Sequence, residues 1–159
     1  MANVESRPSR RLTLILLAAA SLSPISSSRA AEESVITIHK DPSCGCCSEW
    51  ARHLQMNGFV TKIIETSQPD VMRKRFGVPY DLASCHTAQV EGYIVEGHVP
   101  AIAVKRLLAE KPVATGLAVP GMPMGSPGMD GGPPERYDVV LFGPSGRRVY
   151  MRFVGDRQI

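Results

Sequence analysis

Three of the four cysteines in this chain lie within four positions, at Cys44, Cys46 and Cys47. The fourth, Cys85, lies far downstream and is followed by His86. Cys44 and Cys47 form a Cys-x-x-Cys pair, which is typical of a thiol–disulfide redox site when a strand precedes it and a helix follows. Cys46 adds a third thiol, and clustered thiolates bind soft metal ions such as Cu(I) and Zn²⁺. The spacing therefore predicts a metal site or a redox site.

A disulfide-stabilised domain without metal is the alternative interpretation of the same residues. Exported chains with four cysteines usually contain disulfides, here Cys44–Cys47 and Cys46–Cys85. A simple dithiol oxidoreductase is a further alternative, although it needs only Cys44 and Cys47. Spacing alone favours metal or redox chemistry and leaves these alternatives open.

A long loop at residues 113–134 is rich in Gly, Pro and Met. Its methionines Met122, Met124 and Met129 follow no helical or strand period, so a core-packing role is not indicated. Thioether sulfur is a soft ligand that favours Cu(I) and does little for zinc. Thiolates together with thioethers therefore favour copper over zinc, with His86 and these methionines as weaker candidates for auxiliary ligands. A flexible lid whose methionines bind no metal is the alternative, and the sequence leaves it open.

The elements that would position the cysteines follow from local patterns. A β-rich run at residues 35–39 leads into Cys44, and a helix is expected to begin near Cys46 and to end at Asn57-Gly58. Further segments are a strand at 59–65, a helix from Pro69 to Gly77, an extended segment at 88–95, a helix at 99–111, and a hairpin of 137–142 with 148–153.

This order predicts an α/β fold, in the form of one thioredoxin-like domain. The expected sequence of elements is β-α-β-α-β-α, followed by a C-terminal β-hairpin. In such a topology Cys85 precedes the third strand, where the loop facing the Cys-x-x-Cys pair would lie. Cys85 and His86 would then approach the three-cysteine cluster from the opposite side.

A cleaved signal peptide is predicted at residues 1–30, which leaves residues 31–159 as the mature domain. Arg10 and Arg11 precede a short apolar run at 12–20, and Ser28 and Ala30 are small residues suited to a cleavage site. Ser9-Arg10-Arg11 partly resembles a twin-arginine signal. The apolar run is too short for a stable membrane anchor, so the expectation is a periplasmic protein with no anchor after cleavage.

The charge balance of the mature domain argues against nucleic acid as a partner. The whole chain has a formal net charge of +3, but the predicted signal peptide contains four Arg and one Glu. Residues 31–159 therefore carry no formal net charge, and nothing remains that would favour nucleic acid or an anionic membrane.

Five separated motifs together resemble one family, the CopG-like group of exported bacterial proteins. The resemblance runs from about Ile36 to Phe153. The motifs are Asp41-Pro-Ser-Cys-Gly-Cys-Cys47, Gly77-Val-Pro79, Ser84-Cys-His-Thr-Ala88, Gly92-Tyr-Ile-Val-Glu-Gly-His-Val-Pro100, and Pro120-Gly-Met-Pro123 with Gly125-Ser-Pro-Gly-Met129.

The resemblance implies a thioredoxin-like fold, a periplasmic location and a role in copper handling or copper resistance. It also implies that Cys44, Cys46, Cys47 and Cys85 are the copper ligands. We expect such a thiolate cluster to hold one or more Cu(I) ions through bridging sulfur. The implied partners are copper ions and other periplasmic copper-resistance proteins. Whether the protein is an enzyme stays open, with copper or thiol oxidation–reduction through Cys44 and Cys47 as the candidate reaction.

Overall fold

The computed structural model describes residues 34–159. The predicted signal peptide lies outside the described residues. Within the described part of the chain, no helix is both long enough and apolar enough to cross a membrane. The helices and strands, in chain order, are β1 (Val35–Lys40), α1 (Gly45–Met56), β2 (Val60–Glu65), α2 (Pro69–Arg75), a 3₁₀ turn (Tyr80–Leu82), β3 (His86–Val90), β4 (Tyr93–Glu96), α3 (Ala101–Glu110), β5 (Gly116–Ala118), β6 (Arg136–Gly143), β7 (Gly146–Val154) and β8 (Arg157–Gln158).

One mixed sheet contains all eight described strands, in the order β2-β1-β3-β4-β5-β6-β7-β8. The pairs β1–β2 and β4–β5 are parallel, and the other neighbouring pairs are antiparallel. The prediction of a thioredoxin-like β-α-β-α-β-α domain with a C-terminal hairpin is therefore wrong.

Two local differences account for this correction. The segment at residues 88–95, expected to be one strand, spans the turn of the β3–β4 hairpin, whose turn residues Glu91 and Gly92 both have positive φ. The long loop at 113–134 contributes β5, which joins β4 to β6 and extends the sheet to the C-terminal strands.

The larger hydrophobic core lies where α1 and α3 pack on the sheet. Trp50 and Leu54 of α1, Leu107 of α3, and Ile38 of β1 are completely buried there. A smaller core contains Ile94 of β4 together with Val78, Leu82, Ala118 and Phe142. Because Val95 belongs to the larger core and Ile94 to the smaller one, the two cores lie on opposite faces of the sheet.

Candidate metal centre

The loop between β1 and α1 presents the first cysteines. The Asp41 carboxylate accepts hydrogen bonds from the Ser43 N–H at 2.8 Å and the Ser43 hydroxyl at 2.5 Å, and the Asp41 carbonyl accepts from the Cys44 N–H at 3.0 Å. Lys40 is buried and donates to the Asp41 carbonyl at 3.0 Å. These bonds fix the turn that places Cys44 immediately before α1.

Cys46 and Cys47 occupy the first turn of α1, and Cys47 is completely buried. Unpaired N–H groups and the positive end of the helix dipole make this a favourable place for thiolates. Cys44 and Cys47 are joined by a disulfide, while Cys46 and Cys85 are free thiols. Of the two disulfides in the alternative interpretation, Cys44–Cys47 is thus present and Cys46–Cys85 is not.

Cys85 approaches this cluster from the end of the chain segment that precedes β3. Its Sγ lies 4.0 Å from Cys46 Sγ, and Cys46 Sγ lies 3.6 Å from Cys44 Sγ. The four Sγ atoms all lie within 4.8 Å of one another. The structure therefore brings together the four cysteines that the sequence singled out, in a volume small enough for one metal cluster.

A second group shares Cys85 and adds two buried imidazoles. Cys85 Sγ lies 3.2 Å from His86 Nδ1 and 3.0 Å from His98 Nε2. Both histidines are completely buried. Their ligand atoms lie within 4.8 Å of one another and of Cys85 Sγ. Cys85 is therefore the residue that connects a sulfur cluster to a sulfur–nitrogen site.

The tautomer of His98 follows from its second ring nitrogen. Nδ1 lies 2.8 Å from the carbonyl oxygen of Pro127, which can only accept, so Nδ1 carries the proton. In the neutral ring, Nε2 then has a free lone pair directed at Cys85. Metal-binding histidines commonly donate their other N–H to a backbone carbonyl in this way.

His86 leaves a buried nitrogen without a partner. Its Nε2 has no hydrogen bond among the described residues. The ring lies between Trp50, at a centroid distance of 4.4 Å, and His98, at 5.1 Å. An unpaired buried polar atom usually marks a functional site or a missing ligand.

Burial controls the protonation of this group. It raises the pKa of the Cys85 thiol to about 12, with the neighbouring Cys46 adding to the effect. Burial also lowers the pKa of His86 and of His98, and their mutual repulsion as cations lowers that of His86 further. Without metal the site therefore holds a neutral thiol and two neutral imidazoles at neutral pH.

Comparisons with known proteins indicate the family of this chain. A family model described as "Protein of unknown function, DUF411" matches residues 82–129. A solved structure titled "Copper resistance protein copG- Form 2" is 42% identical, with a TM-score of 0.73, and the alignment covers 77% of this chain and 99% of that one. The chain belongs to the CopG copper-resistance family. The resemblance seen in the sequence is thereby confirmed.

A second structure, titled "Copper resistance protein copG- Form 1", is also 42% identical, with a TM-score of 0.71. Its alignment covers 76% of this chain and 98% of that chain. A search of curated protein sequences gives no match.

The methionines expected as auxiliary ligands in this CopG-family chain lie at three different places in the loop. Met122 is 53% exposed, Met124 lies against Gly132, and Met129 lines a surface cavity with Met56 and His53 of α1. The loop reaches the site through its backbone instead, at the Pro127 carbonyl and at Gly128, which packs on the first turns of α1. Ligation by these methionines stays a prediction.

His98 is the site residue that the sequence analysis missed. In the sequence it precedes a helix, where a histidine is more often a polar turn residue than a ligand. The signal that would have found it is the β3–β4 hairpin, since an antiparallel hairpin carries Cys85 and His98 on facing strand ends.

Proposed function

We propose that the reduced protein binds Cu(I) through the thiolates of Cys44, Cys46, Cys47 and Cys85, as part of copper resistance. The observation that carries this proposal is the approach of all four Sγ atoms to within 4.8 Å of one another. Soft thiolate ligands select Cu(I), and a sulfur atom that bridges two ions allows more than one Cu(I) in such a cluster. The 42% identity to structures titled copper resistance protein supports copper as the metal.

The two buried imidazoles complete the proposed ligand set. Neutral imidazole is the form that binds a metal, and burial keeps His86 and His98 in that form. Copper has to displace the proton of the Cys85 thiol, whose pKa burial raises to about 12. Loading therefore releases protons and is favoured as the pH rises.

The proposed location of this activity is the periplasm. Support comes from the signal-peptide pattern at residues 1–30 and from the disulfide between Cys44 and Cys47, which is typical of an oxidising compartment. Other copper-resistance proteins of the same compartment are the proposed partners for transfer of Cu(I).

Oxidation–reduction of copper is a second candidate, and the Cys44–Cys47 disulfide beside two free thiols favours it. The thiolates of Cys44 and Cys47 would each give one electron to a Cu(II) ion and join as a disulfide. Two Cu(II) ions would become two Cu(I) ions, and the thiol protons would pass to solvent. Cys46 and Cys85 would retain the product ions with the histidines.

Anaerobic titration of the fully reduced protein with Cu(I), against a coloured Cu(I) chelator, tests the binding function. We expect tight binding by the wild type and weaker binding by at least about tenfold in Cys85→Ser, with His53→Gln as the matched control outside the cluster. A reduced wild-type protein that takes up no Cu(I) would show the proposal to be wrong.

The redox candidate is tested by adding Cu(II) to the reduced protein without oxygen and counting both products. One disulfide should appear for every two Cu(I) ions. The Cys47→Ser variant lacks the Cys44–Cys47 pair, so it should form neither this disulfide nor the Cu(I) that accompanies it. Formation of Cu(I) without loss of thiols would exclude the dithiol as the electron source.

A further inference from the structure

A buried ion pair lies next to the chain segment that carries Cys85. Arg73 of α2 and Glu96 of β4 have side chains that are 12% and 0% exposed, and Arg73 Nε lies 2.8 Å from Glu96 Oε1. Desolvation of both charges offsets much of the attraction in such a pair, so a stabilising role alone explains it poorly. Its remaining hydrogen bonds indicate what it does.

Both backbone groups of Ser84 are held by this pair. The Ser84 N–H donates to Glu96 Oε1 at 2.7 Å, and the Ser84 carbonyl accepts a hydrogen bond from Arg73 Nη2. On the other side of Cys85, the Thr87 hydroxyl donates to Glu96 Oε2 at 2.6 Å. The ion pair therefore holds the chain immediately before Cys85 and again two residues after it.

A glycine allows this approach. A Cβ at Gly97 would lie 2.4 Å from Ser84 Oγ and 2.6 Å from the Val119 carbonyl oxygen, and Gly97 has φ +72°. The Ser84 hydroxyl in turn donates to the Gly121 carbonyl at 2.5 Å. Ser84 is thus fixed through its backbone and its side chain.

We propose that the Arg73–Glu96 pair positions Cys85 for copper by fixing the backbone on both sides of that cysteine. This role rests on the proposed Cu(I) function. Cys85 has to face Cys46 at 4.0 Å and His98 at 3.0 Å at once, and a rotation of the chain at Ser84 would break one of these approaches. The planar guanidinium can bond a carboxylate and a carbonyl together, which a lysine ammonium cannot do in the same geometry.

The test compares Arg73→Lys and Glu96→Gln with Asp70→Asn as the matched control. Asp70 is the exposed partner of Arg73, at 2.5 Å from Nη1, and its side chain is 87% exposed. We expect the first two variants to lose Cu(I) affinity by about 10- to 100-fold, as partners of metal ligands commonly do. The control should match the wild type.

Two further measurements separate positioning from a general loss of structure. Near-UV circular dichroism establishes that each variant is folded. The midpoint potential of the Cys44–Cys47 disulfide should stay unchanged, because the hydrogen bonds of the ion pair go to Asp70, Ser84 and Thr87 and not to Cys44 or Cys47, whereas a disordered site would change both properties. Should Glu96→Gln fail to fold, Thr87→Val removes one donor to Glu96 with little change of shape, and a weaker Cu(I) affinity is again expected.

The outcomes distinguish this inference from the function on which it rests. A wild-type protein without Cu(I) affinity would overturn the proposed function itself. A wild-type protein that binds Cu(I), together with folded Arg73→Lys and Thr87→Val variants of equal affinity, would overturn only the positioning role. A shifted disulfide potential in the folded variants would also overturn it, because the pair would then act on the whole site.

Discussion

Cys85 and His98 face each other across the β3–β4 hairpin, with Sγ 3.0 Å from Nε2. The hairpin register pairs Thr87 with Glu96, and two residues beyond each of them the same register places Cys85 opposite His98. Strand pairing over a short sequence separation therefore brings the thiol and the imidazole together. The Pro127 carbonyl then selects the tautomer that directs the Nε2 lone pair at the thiol.

We predict that His98→Ala weakens Cu(I) binding by at least about tenfold, because it removes a preoriented ligand from the Cys85 site. Competition with a Cu(I) chelator under reducing, anaerobic conditions measures the effect. His53→Gln is the control, since His53 lies on α1 and its Nε2 accepts the Ala101 N–H at 3.1 Å. Equal affinity of wild type and His98→Ala would remove His98 from the ligand set.

The elements next to the cysteines could be predicted because their signals are local. The helix expected near Cys46 begins at Gly45, and the helix expected from Pro69 begins at that residue. The C-terminal hairpin was also predicted, with Gly146 at its turn. Clustering of Cys44, Cys46 and Cys47 is a property of four consecutive positions, so it was visible without any knowledge of the sheet.

The sheet order could not be predicted, because it depends on pairings that leave little local pattern. Apolar residues predominate at 88–95 and favour a single strand, and the non-glycine turn residue Glu91 in a positive-φ conformation conceals the hairpin. That error converted two strands into one, contributed to the wrong fold and hid the pairing of Cys85 with His98. Strand β5 is only three residues long and lies in a segment whose composition indicates a loop.

Gly128→Ala is predicted to destabilise the protein by about 1–3 kcal/mol, the usual cost of overpacking. An added Cβ would lie 2.7 Å from the Cys46 carbonyl oxygen and 2.8 Å from the Trp50 nitrogen, where the loop packs on α1. Urea denaturation measures the loss. Gly131→Ala is the matched control. Both glycines have a positive φ, +87° at Gly128 and +114° at Gly131, but nothing lies within 4 Å of a new Cβ at Gly131. Similar losses in both variants would mean that backbone conformation, and not the close packing, determines the cost.

The apoprotein is predicted to lose stability as the pH falls from about 7.5 to about 5. Burial lowers the pKa of His53 in the folded protein. At a pH between the folded and the unfolded pKa, the unfolded chain therefore binds more protons than the folded one. Stability therefore rises with pH across this window and is fully present above the unfolded pKa of 6.5. Burial also lowers the pKa of His39, His86 and His98, so these histidines change the stability with pH in the same direction.

His53→Gln isolates one part of this pH dependence. Glutamine can still accept the Ala101 N–H but does not titrate, so the variant should show a shallower fall in urea-derived stability at low pH. Metal-free samples in chelator are required, because bound copper would change the protonation of His86 and His98. An identical pH profile in variant and wild type would show that His53 is not one of the groups responsible.

The single tryptophan of the chain should report copper at the site. Trp50 is completely buried, its ring centroid lies 4.4 Å from that of His86, and its Nε1–H donates to the Val99 carbonyl at 2.8 Å. Copper held by Cys85 and the histidines would therefore lie close to the indole, and we expect strong quenching of its fluorescence as Cu(I) is added to reduced protein.

Zn²⁺ has no accessible redox states and should quench less at equal occupancy. His86→Ala should keep the thiolate cluster but reduce the quenching for each copper bound, because it removes a ligand whose ring packs against Trp50. Quenching that is equal for the two metals would indicate a change of conformation around Trp50 and would argue against copper bound beside His86.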